Sequence, residues 1–253
     1  MKLDRVIAVR NNKTVFRDGK RCVKIFSTDF SKTSVFFEAL NHARVEECVD
    51  NVPKLLEVIR HDRNWAIVYD FVKGKTLLQW TEEEPEALSD QVAYFVDAQS
   101  KLHRTEGGSL EKMKDCFFDA ILRAPLDPTL KYALHKGLEK MRFSSLLCHA
   151  DFVPSNIIIG EDTNPVVIDW ASAMSGEPMA DVAITYLLLK IRGKEAFAEE
   201  YRAAYLNKMR KSEKTLEEWI PYAAAFLMNL TNEAERNALL PYVKSIENKG
   251  ETK

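Results

Sequence analysis

The hydrophobic pattern of this 253-residue chain changes near residue 73, and that change constrains the fold more than any other feature. Before it, apolar and polar residues alternate in three short stretches, RVIAVR (5–10), TVFRDG (14–19) and RCVKIF (21–26). Alternation with a period of two is typical of strands, and the NNK and DGK segments between the stretches are turn signals. The beginning of the chain is therefore expected to form three consecutive antiparallel strands.

One helix and two further strands complete this first segment. Residues 31–48 have a Ser at the start and apolar residues at helical spacing, which indicates a helix. Residues 52–72 contain two apolar stretches separated by His-Asp-Arg-Asn, which is typical of two strands joined by a turn. Residues 1–72 are thus predicted to form a small lobe with a five-stranded sheet and one helix.

Helical patterns dominate after KGKT (73–76). They cover residues 77–88, 89–105 and 126–142, and they return from Met179 to the end of the chain. Between them lies a β interlude made of CHADFVPSNIIIG and NPVVIDW. We therefore predict an α+β fold with two lobes, in which residues 73–253 form the larger, helical lobe.

Composition excludes several classes of partner. The formal net charge is −2, with both signs spread along the chain, whereas binding to a nucleic-acid backbone needs a basic excess. The first residues lack the apolar core of a signal peptide, and the longest apolar run is too short to span a membrane. The four cysteines show no metal-ligand spacing. We expect a reduced, cytoplasmic protein that binds neither nucleic acid nor membrane, and its oligomeric state is not indicated.

Three polar side chains stand between two apolar stretches in CHADFVPSN, namely His149, Asp151 and Asn156. A fourth, Asp169, follows the apolar stretch VVI. If the stretches after Asn156 and before Asp169 pair as a hairpin, these two residues meet at one end of it. Their oxygens are hard ligands suited to Mg²⁺ carried by phosphates. Asp151, just ahead of them, is placed to accept a proton from a hydroxyl.

The spacing of these residues resembles that of a known family. H-x-D-x-x-x-x-N, then I-D-W, then G-x-P-x-x-D (here Gly176, Pro178 and Asp181) is similar to the motifs of the aminoglycoside phosphotransferase and choline kinase family. The Leu-His of SKLHR (100–104) matches a further family position. The resemblance implies a two-lobed, protein-kinase-like fold. It also implies transfer of the γ-phosphoryl group of ATP or GTP, with Mg²⁺, to a hydroxyl of a small molecule such as an amino sugar, amino alcohol or sugar.

The resemblance assigns a role to each matching residue. Asp151 would be the catalytic base, and Asn156 and Asp169 the Mg²⁺ ligands. His149 and Asp181 would support the site structurally. The residues implied for nucleotide binding are Lys24, Glu38, Tyr69, Asp70, Phe71, Val72, Ile158 and Ile168. In this set, the lysine would hold the nucleotide phosphates and pair with the glutamate. Residues 69–72 would form the hinge, and their backbone would contact the nucleotide base. The two isoleucines would line the base pocket.

The sequence departs from the family pattern in two places. The first turn reads RNNKT and has no glycine-rich loop, which weakens the expected capping of the phosphates, and Ala150 replaces the usual glycine. Only 11 residues separate Asp169 from Asp181, which leaves no room for a long activation segment and favours a small acceptor over a protein.

Simpler interpretations of the same residues stay open. Lys24 is also compatible with a solvent-facing strand position, and Glu38 shares its helix with Glu46 and Glu47. Acidic residues on the C-terminal helices fit either a cationic acceptor or solvated helix faces. The alternative from another functional class is a catalytically silent kinase fold that binds a nucleotide or has a regulatory role.

Overall fold

The computed structural model describes residues 3–10 and 12–248, except for the side chain of residue 248. The chain divides into two compact units. The first unit comprises Met1–Trp80 and Pro154–Ala173, and the second comprises Thr81–Val153 and Met174–Lys253. The division into functional lobes at residues 72 and 73 stays a prediction.

The first unit contains a five-stranded antiparallel sheet in the order β1-β2-β3-β5-β4. Its strands are β1 Arg5–Arg10, β2 Lys13–Asp18, β3 Arg21–Phe26, β4 Leu55–His61 and β5 Asn64–Asp70. All five predicted strands are present, with small shifts of their ends. Strand β3 is paired on both sides, to β2 and to β5, so the backbone that carries Lys24 is fixed in the middle of the sheet.

Helix α1 (Lys32–Glu46) packs on this sheet. It begins after Ser31, whose hydroxyl accepts a backbone N–H of the first turn at 3.0 Å and so stabilises the helix start by about 1 kcal/mol. Val35 is fully buried in a cluster with Ile67 of β5, and burial of such a side chain contributes about 1.5–3 kcal/mol. Glu38, three residues after Val35, lies on the same buried side of the helix.

A second sheet of the first unit has three short strands in the order β6-β8-β9. These are β6 Gly74–Thr76, β8 Ile157–Gly160 and β9 Pro165–Val167, and β8 and β9 form the predicted hairpin. Strand β6 was not predicted. Its first residue, Gly74, has φ +150°, and a Cβ there would lie 2.1 Å from the carbonyl oxygen of Ile159. Only glycine allows this close approach of the two strands.

Eight more α-helices occur within the part of the chain that the structure describes. They are α2 Leu77–Glu83, α3 Leu88–Leu102, α4 Met113–Arg123, α5 Pro128–Lys140, α6 Pro178–Ile191, α7 Glu195–Met209, α8 Glu213–Leu227 and α9 Glu233–Asn248. Helix α4 is an addition to the predicted helices. None of the described helices is both long and apolar enough to cross a membrane.

In the second unit, strand β7 (Leu146–Cys148) pairs antiparallel with β10 (Met174–Gly176). Helix α6 follows directly, and its residues are buried on almost every side. A helix that is apolar all round belongs in a core, so α6 is the central helix of the second unit and carries Asp181 into the interior. The α+β fold predicted from the sequence, with a β-rich beginning and a helical remainder, is confirmed.

Candidate active site

Lys24 of β3 and Glu38 of α1 form a buried ion pair in the first unit, with side chains only 8% and 6% exposed. The Lys24 ammonium also donates to Oδ1 of Asp169 at 2.9 Å. Burial by itself lowers the pKa of Lys24, but the carboxylates of Asp169 and Glu38 outweigh it and hold that pKa well above its ordinary value. Lys24 therefore stays charged and bridges two carboxylates.

Asp169 extends the Lys24–Glu38 ion pair into a larger cluster of charged side chains. Its backbone has φ +65°, a left-handed conformation that costs a non-glycine residue about 1–2 kcal/mol. Its carboxylate accepts from Lys24 at Oδ1 and from Lys13 at Oδ2, the latter at 3.0 Å. Burial raises the pKa of Asp169, but the two ammonium groups lower it far below its ordinary value. The carboxylate is thus ionised and flanked by cations on both oxygens.

Lys13 was not predicted as a site residue. It is the last residue of the NNK segment and the first of β2, and its side chain is 20% exposed. Burial lowers the pKa of Lys13, an effect that Asp169 opposes and Lys24 reinforces. The available signal was its place in RNNKT, the turn at which the family's glycine-rich loop is missing.

The hairpin brings Asn156 and Asp169 to the same end of β8 and β9. Ile157 pairs with Val167, and the N–H of Ile168 donates to the carbonyl of Asn156 at 2.9 Å. Asn156 and Asp169 supply an amide oxygen and a carboxylate, the hard oxygen donors that Mg²⁺ prefers. Since Asp169 already attracts two cationic groups in this structure, the residues present fit a Mg²⁺ ion.

Both proposed metal ligands line one cavity of about 530 Å³ in the first unit. All residues predicted for nucleotide binding line it too except Glu38, which supports Lys24; they are Lys24, Tyr69, Asp70, Phe71, Val72, Ile158 and Ile168. Among the residues that the structure describes, five with a lysine or arginine side chain line this cavity (Arg5, Arg10, Lys13, Arg17 and Lys24) against two acidic ones (Asp70 and Asp169). A basic excess attracts an anion such as a polyphosphate, and the isoleucines offer an apolar wall for a base.

The second unit holds the segment His149–Asp151, which follows β7. Ala150 has φ +58°, and its N–H donates to Oδ1 of Asp181 at 2.6 Å. His149 is fully buried, and its Nδ1 accepts the N–H of Asp151 at 3.2 Å. The turn that presents Asp151 is therefore held by two hydrogen bonds to buried side chains.

Asp181 on α6 is the centre of a fully buried polar network. Its Oδ2 accepts from Gln99 of helix α3 at 3.1 Å and at 2.9 Å from Nε2 of His103, which directly follows that helix. Nδ1 of His103 in turn accepts the hydroxyl of Tyr205 at 2.5 Å. Burial raises the pKa of Asp181, but the hydrogen bonds from His103 and Ala150 bring it below its ordinary value. The ionised carboxylate thus ties α3 to the turn before Asp151.

Asp151 is one-third exposed, and a guanidinium nitrogen of Arg192 lies 3.6 Å from its Oδ1. A partly exposed carboxylate on a rigid turn has the accessibility that a general base needs. Arg192 directly follows the last residue of helix α6 and was not predicted as a site residue. No local motif marks this position, because its place beside Asp151 depends on the length and direction of α6.

Residues 6–219 match a family described as the phosphotransferase enzyme family. The chain belongs to this family. The match spans both units and includes every predicted site residue, so the predicted family membership is confirmed. No curated protein matches the chain in a sequence search.

Solved structures of phosphotransferases share the fold of this family member. A thermostable mutant of the aminoglycoside phosphotransferase APH(4)-Ia, in a ternary complex with AMP-PNP and hygromycin B, is 16% identical with a TM-score of 0.66, covering 98% of this chain and 94% of its own. The choline kinase LicA from Streptococcus pneumoniae is 14% identical with a TM-score of 0.65, covering 97% of this chain and 95% of its own.

A third similar structure is an aminoglycoside-3'-phosphotransferase of type VIII, 17% identical with a TM-score of 0.59, covering 88% of this chain and 92% of its own. At these identities the similarity concerns the fold. It confirms the kinase-like architecture, in which an antiparallel sheet comes first and helices make up most of the remainder.

Proposed function

We propose that this phosphotransferase moves the γ-phosphoryl group of ATP or GTP to a hydroxyl of a small molecule. The observation that carries the proposal is the charged cluster of Lys24, Glu38 and Asp169, which borders a basic cavity in the first unit. Buried charges are costly and are retained where they serve recognition or catalysis. The similar structure with AMP-PNP and hygromycin B supports a nucleotide and a small acceptor as the two ligands.

In the first unit, Lys24 would contact the nucleotide phosphates while Glu38 keeps its ammonium in place. Asn156 and Asp169 would hold Mg²⁺, which, when bound, neutralises the charge of the phosphates during transfer. The protein's own contribution is to position the phosphates and to keep a fixed positive charge beside them.

The segment Tyr69–Val72 would contact the base. The N–H groups of Asp70 and Phe71 already donate to the carbonyls of Lys54 and Lys20, at 3.0 and 2.9 Å. A base would therefore not be recognised by these two N–H groups.

In the second unit, Asp151 would orient the acceptor hydroxyl and take its proton. General-base catalysis of this kind contributes about 10²–10⁴ in rate. Asp181 acts on the turn through the N–H of Ala150 and is a positioning residue, as is His149.

We propose that the chemical group next to the reacting hydroxyl of the acceptor is neutral or anionic. Arg192 places a positive charge beside Asp151, and a cationic amine at that point would be repelled. The acidic residues of α7 already have partners: Glu195 and Glu199 pair with Lys190, and Glu200 accepts the hydroxyl of Ser89. Neutral sugars, amino alcohols with a distant amine and hydroxy acids are therefore the acceptors to test first.

Two substitutions separate chemistry from binding. Asp151→Asn should keep Mg·ATP affinity within a few fold, while turnover falls by about 10²–10⁴. Asp169→Asn should lose metal-dependent nucleotide binding as well, because a carboxylate ligand is removed. Titration calorimetry with ATP and Mg²⁺ measures the binding, and ATP consumption against a panel of hydroxyl compounds measures the turnover. Glu139→Gln, an exposed change on α5, is the matched control and should alter neither quantity.

The outcomes distinguish an enzyme from a silent kinase fold. An Asp151→Asn protein that phosphorylates an acceptor at the wild-type rate would rule out Asp151 as the base. A wild-type protein that binds Mg·ATP and transfers to no compound of a broad panel would favour the silent fold. A wild-type protein that shows no heat and no thermal shift at millimolar ATP would contradict both interpretations.

A further inference from the structure

We propose that Lys13 is an exchangeable counter-ion. Without nucleotide, its ammonium is paired with the carboxylate of Asp169. When Mg·ATP binds, the metal takes its place at that carboxylate, and the ammonium moves to the phosphates. This inference rests on the proposed function of the first unit and adds a role for a residue outside the recognised motifs.

The backbone of Lys13 is fixed, which confines the exchange to its side chain. Lys13 pairs with Arg10 of β1 and with Phe26 of β3, so this end of β2 has a partner strand on each side. The neighbouring carbonyl of Asn12 accepts the N–H of Ser27 at 2.9 Å. A lysine side chain has four rotatable bonds on this rigid base, and its ammonium can be redirected without moving the sheet.

The present position of the ammonium conflicts with a bound metal. Lys13 Nζ lies 3.0 Å from Oδ2 and 3.5 Å from Oδ1 of Asp169, and Lys24 holds Oδ1 at 2.9 Å. A Mg²⁺ ion bound to the same carboxylate would lie within a few ångströms of both ammonium groups and repel them. One of the two lysines must therefore give way when the metal binds.

Lys13 is the one that can give way. Lys24 is 8% exposed and retains Glu38 as a second carboxylate partner, whereas the side chain of Lys13 is 20% exposed. Lys13 also lines the cavity of about 530 Å³, where the triphosphate of a nucleotide would lie. A redirected ammonium therefore finds a new anion within the same cavity.

The exchange also offers a physical reason for the missing glycine-rich loop. Such loops cradle phosphates with backbone N–H groups. Here the turn RNNKT places a lysine at the start of β2, and its side chain can supply the contact that the backbone of a glycine-rich loop supplies elsewhere.

Lys13→Met tests the exchange through two affinities that should change in opposite directions. Mn²⁺ binding without nucleotide, followed by electron paramagnetic resonance, should become about threefold tighter or more, because the competing ammonium is gone. Mg·ATP binding, followed by calorimetry, should weaken about tenfold or more, because a charged contact to the phosphates is lost. Lys13→Arg should keep most of the Mg·ATP affinity.

Lys54→Met is the matched control. The side chain of Lys54 is about half exposed, pairs with Glu46 in the same unit and is not part of the cavity lining. The substitution keeps the backbone carbonyl that accepts the N–H of Asp70, so neither affinity should change. Weaker binding of both Mn²⁺ and Mg·ATP by Lys13→Met would show a purely structural ion pair and overturn the inference. Unchanged affinities would overturn it too. A wild-type protein that binds no Mg·ATP refutes the proposed function itself, and this is established before any variant is compared.

Discussion

Removal of the Asp181 carboxylate should destabilise the second unit strongly. Asp181 is fully buried and accepts three hydrogen bonds, from Ala150, Gln99 and His103. In Asp181→Ala the three donors lose their acceptor, and each unsatisfied buried donor costs about 1–3 kcal/mol. Part of this cost is offset because a buried charge no longer has to be desolvated. We expect the free energy of unfolding to fall by about 3–5 kcal/mol, the range measured for broken buried charge networks.

Asp181→Asn should cost less than the alanine variant. The amide oxygen can still accept the N–H of Ala150, and His103 can change its tautomer to accept the amide NH₂. Urea denaturation at pH 7 measures both variants against Asp119→Ala, an exposed change on α4 that should stay within about 0.5 kcal/mol of wild type.

The pH dependence gives a second, independent test. Since the folded protein lowers the pKa of Asp181, the ionised carboxylate contributes stability above the unfolded-state pKa of about 3.9, and that contribution is lost as the pH falls below it. The stability difference between wild type and Asp181→Asn should therefore be largest near pH 7 and shrink below about pH 4. A difference that is constant with pH, or an alanine variant within about 1 kcal/mol of wild type, would refute this account of the network.

Three further substitutions test separate parts of the structure by urea denaturation. Lys24→Met should lower the free energy of unfolding by about 3–5 kcal/mol, because it leaves Glu38 buried without its cation. Adding Glu38→Leu should recover much of that loss. A double variant whose loss equals the sum of the two single losses would contradict the pairing. Ala150→Gly should raise the free energy of unfolding by about 0–1 kcal/mol. Glycine relieves the strain of the left-handed backbone, and this gain slightly exceeds the cost of the greater chain entropy that glycine gives the unfolded state. A clear loss of stability would refute this. A change from glycine to alanine normally stabilises a helix. Gly137→Ala should instead destabilise the protein, because the new Cβ would lie 2.2 Å from the hydroxyl oxygen of Tyr222. A gain in stability would show that the Tyr222 side chain moves to make room.

Local pattern was sufficient for most secondary structure. The period-two stretches gave the five strands of the first sheet, and Ser31 marked the start of α1, because these signals act within a few residues of one another. Helix α4 was predictable by the same rule, since its buried residues Met113, Phe117 and Ile121 follow helical spacing. The three-residue strands β6 and β10 carry too few residues for a pattern, and their partners lie far away in the sequence.

The residues of the candidate site also fall into those that the local sequence indicated and those that only the structure showed. The motif spacing marked Asp151, Asn156 and Asp169 as candidates from the sequence alone, because a short hairpin and its flanking loop are local structures; their roles stay a prediction. The choice of Glu38 over the other acids of its helix was implied by the family resemblance. In the structure it depends on which face of α1 meets the sheet, and that face brings Glu38 to Lys24.

Only the tertiary structure placed Lys13 on Asp169 and Arg192 beside Asp151. Lys13 and Asp169 are 156 positions apart, and nothing in RNNKT or VVIDWA specifies that their side chains meet. The left-handed backbone of Ala150 is likewise imposed from a distance, since its N–H is held by the buried carboxylate of Asp181. Local sequence determined most of the elements that form and which side chains could do chemistry. Packing of those elements determined which charges are neighbours, because Coulomb forces and hydrogen bonds depend on distance in space and not on distance along the chain.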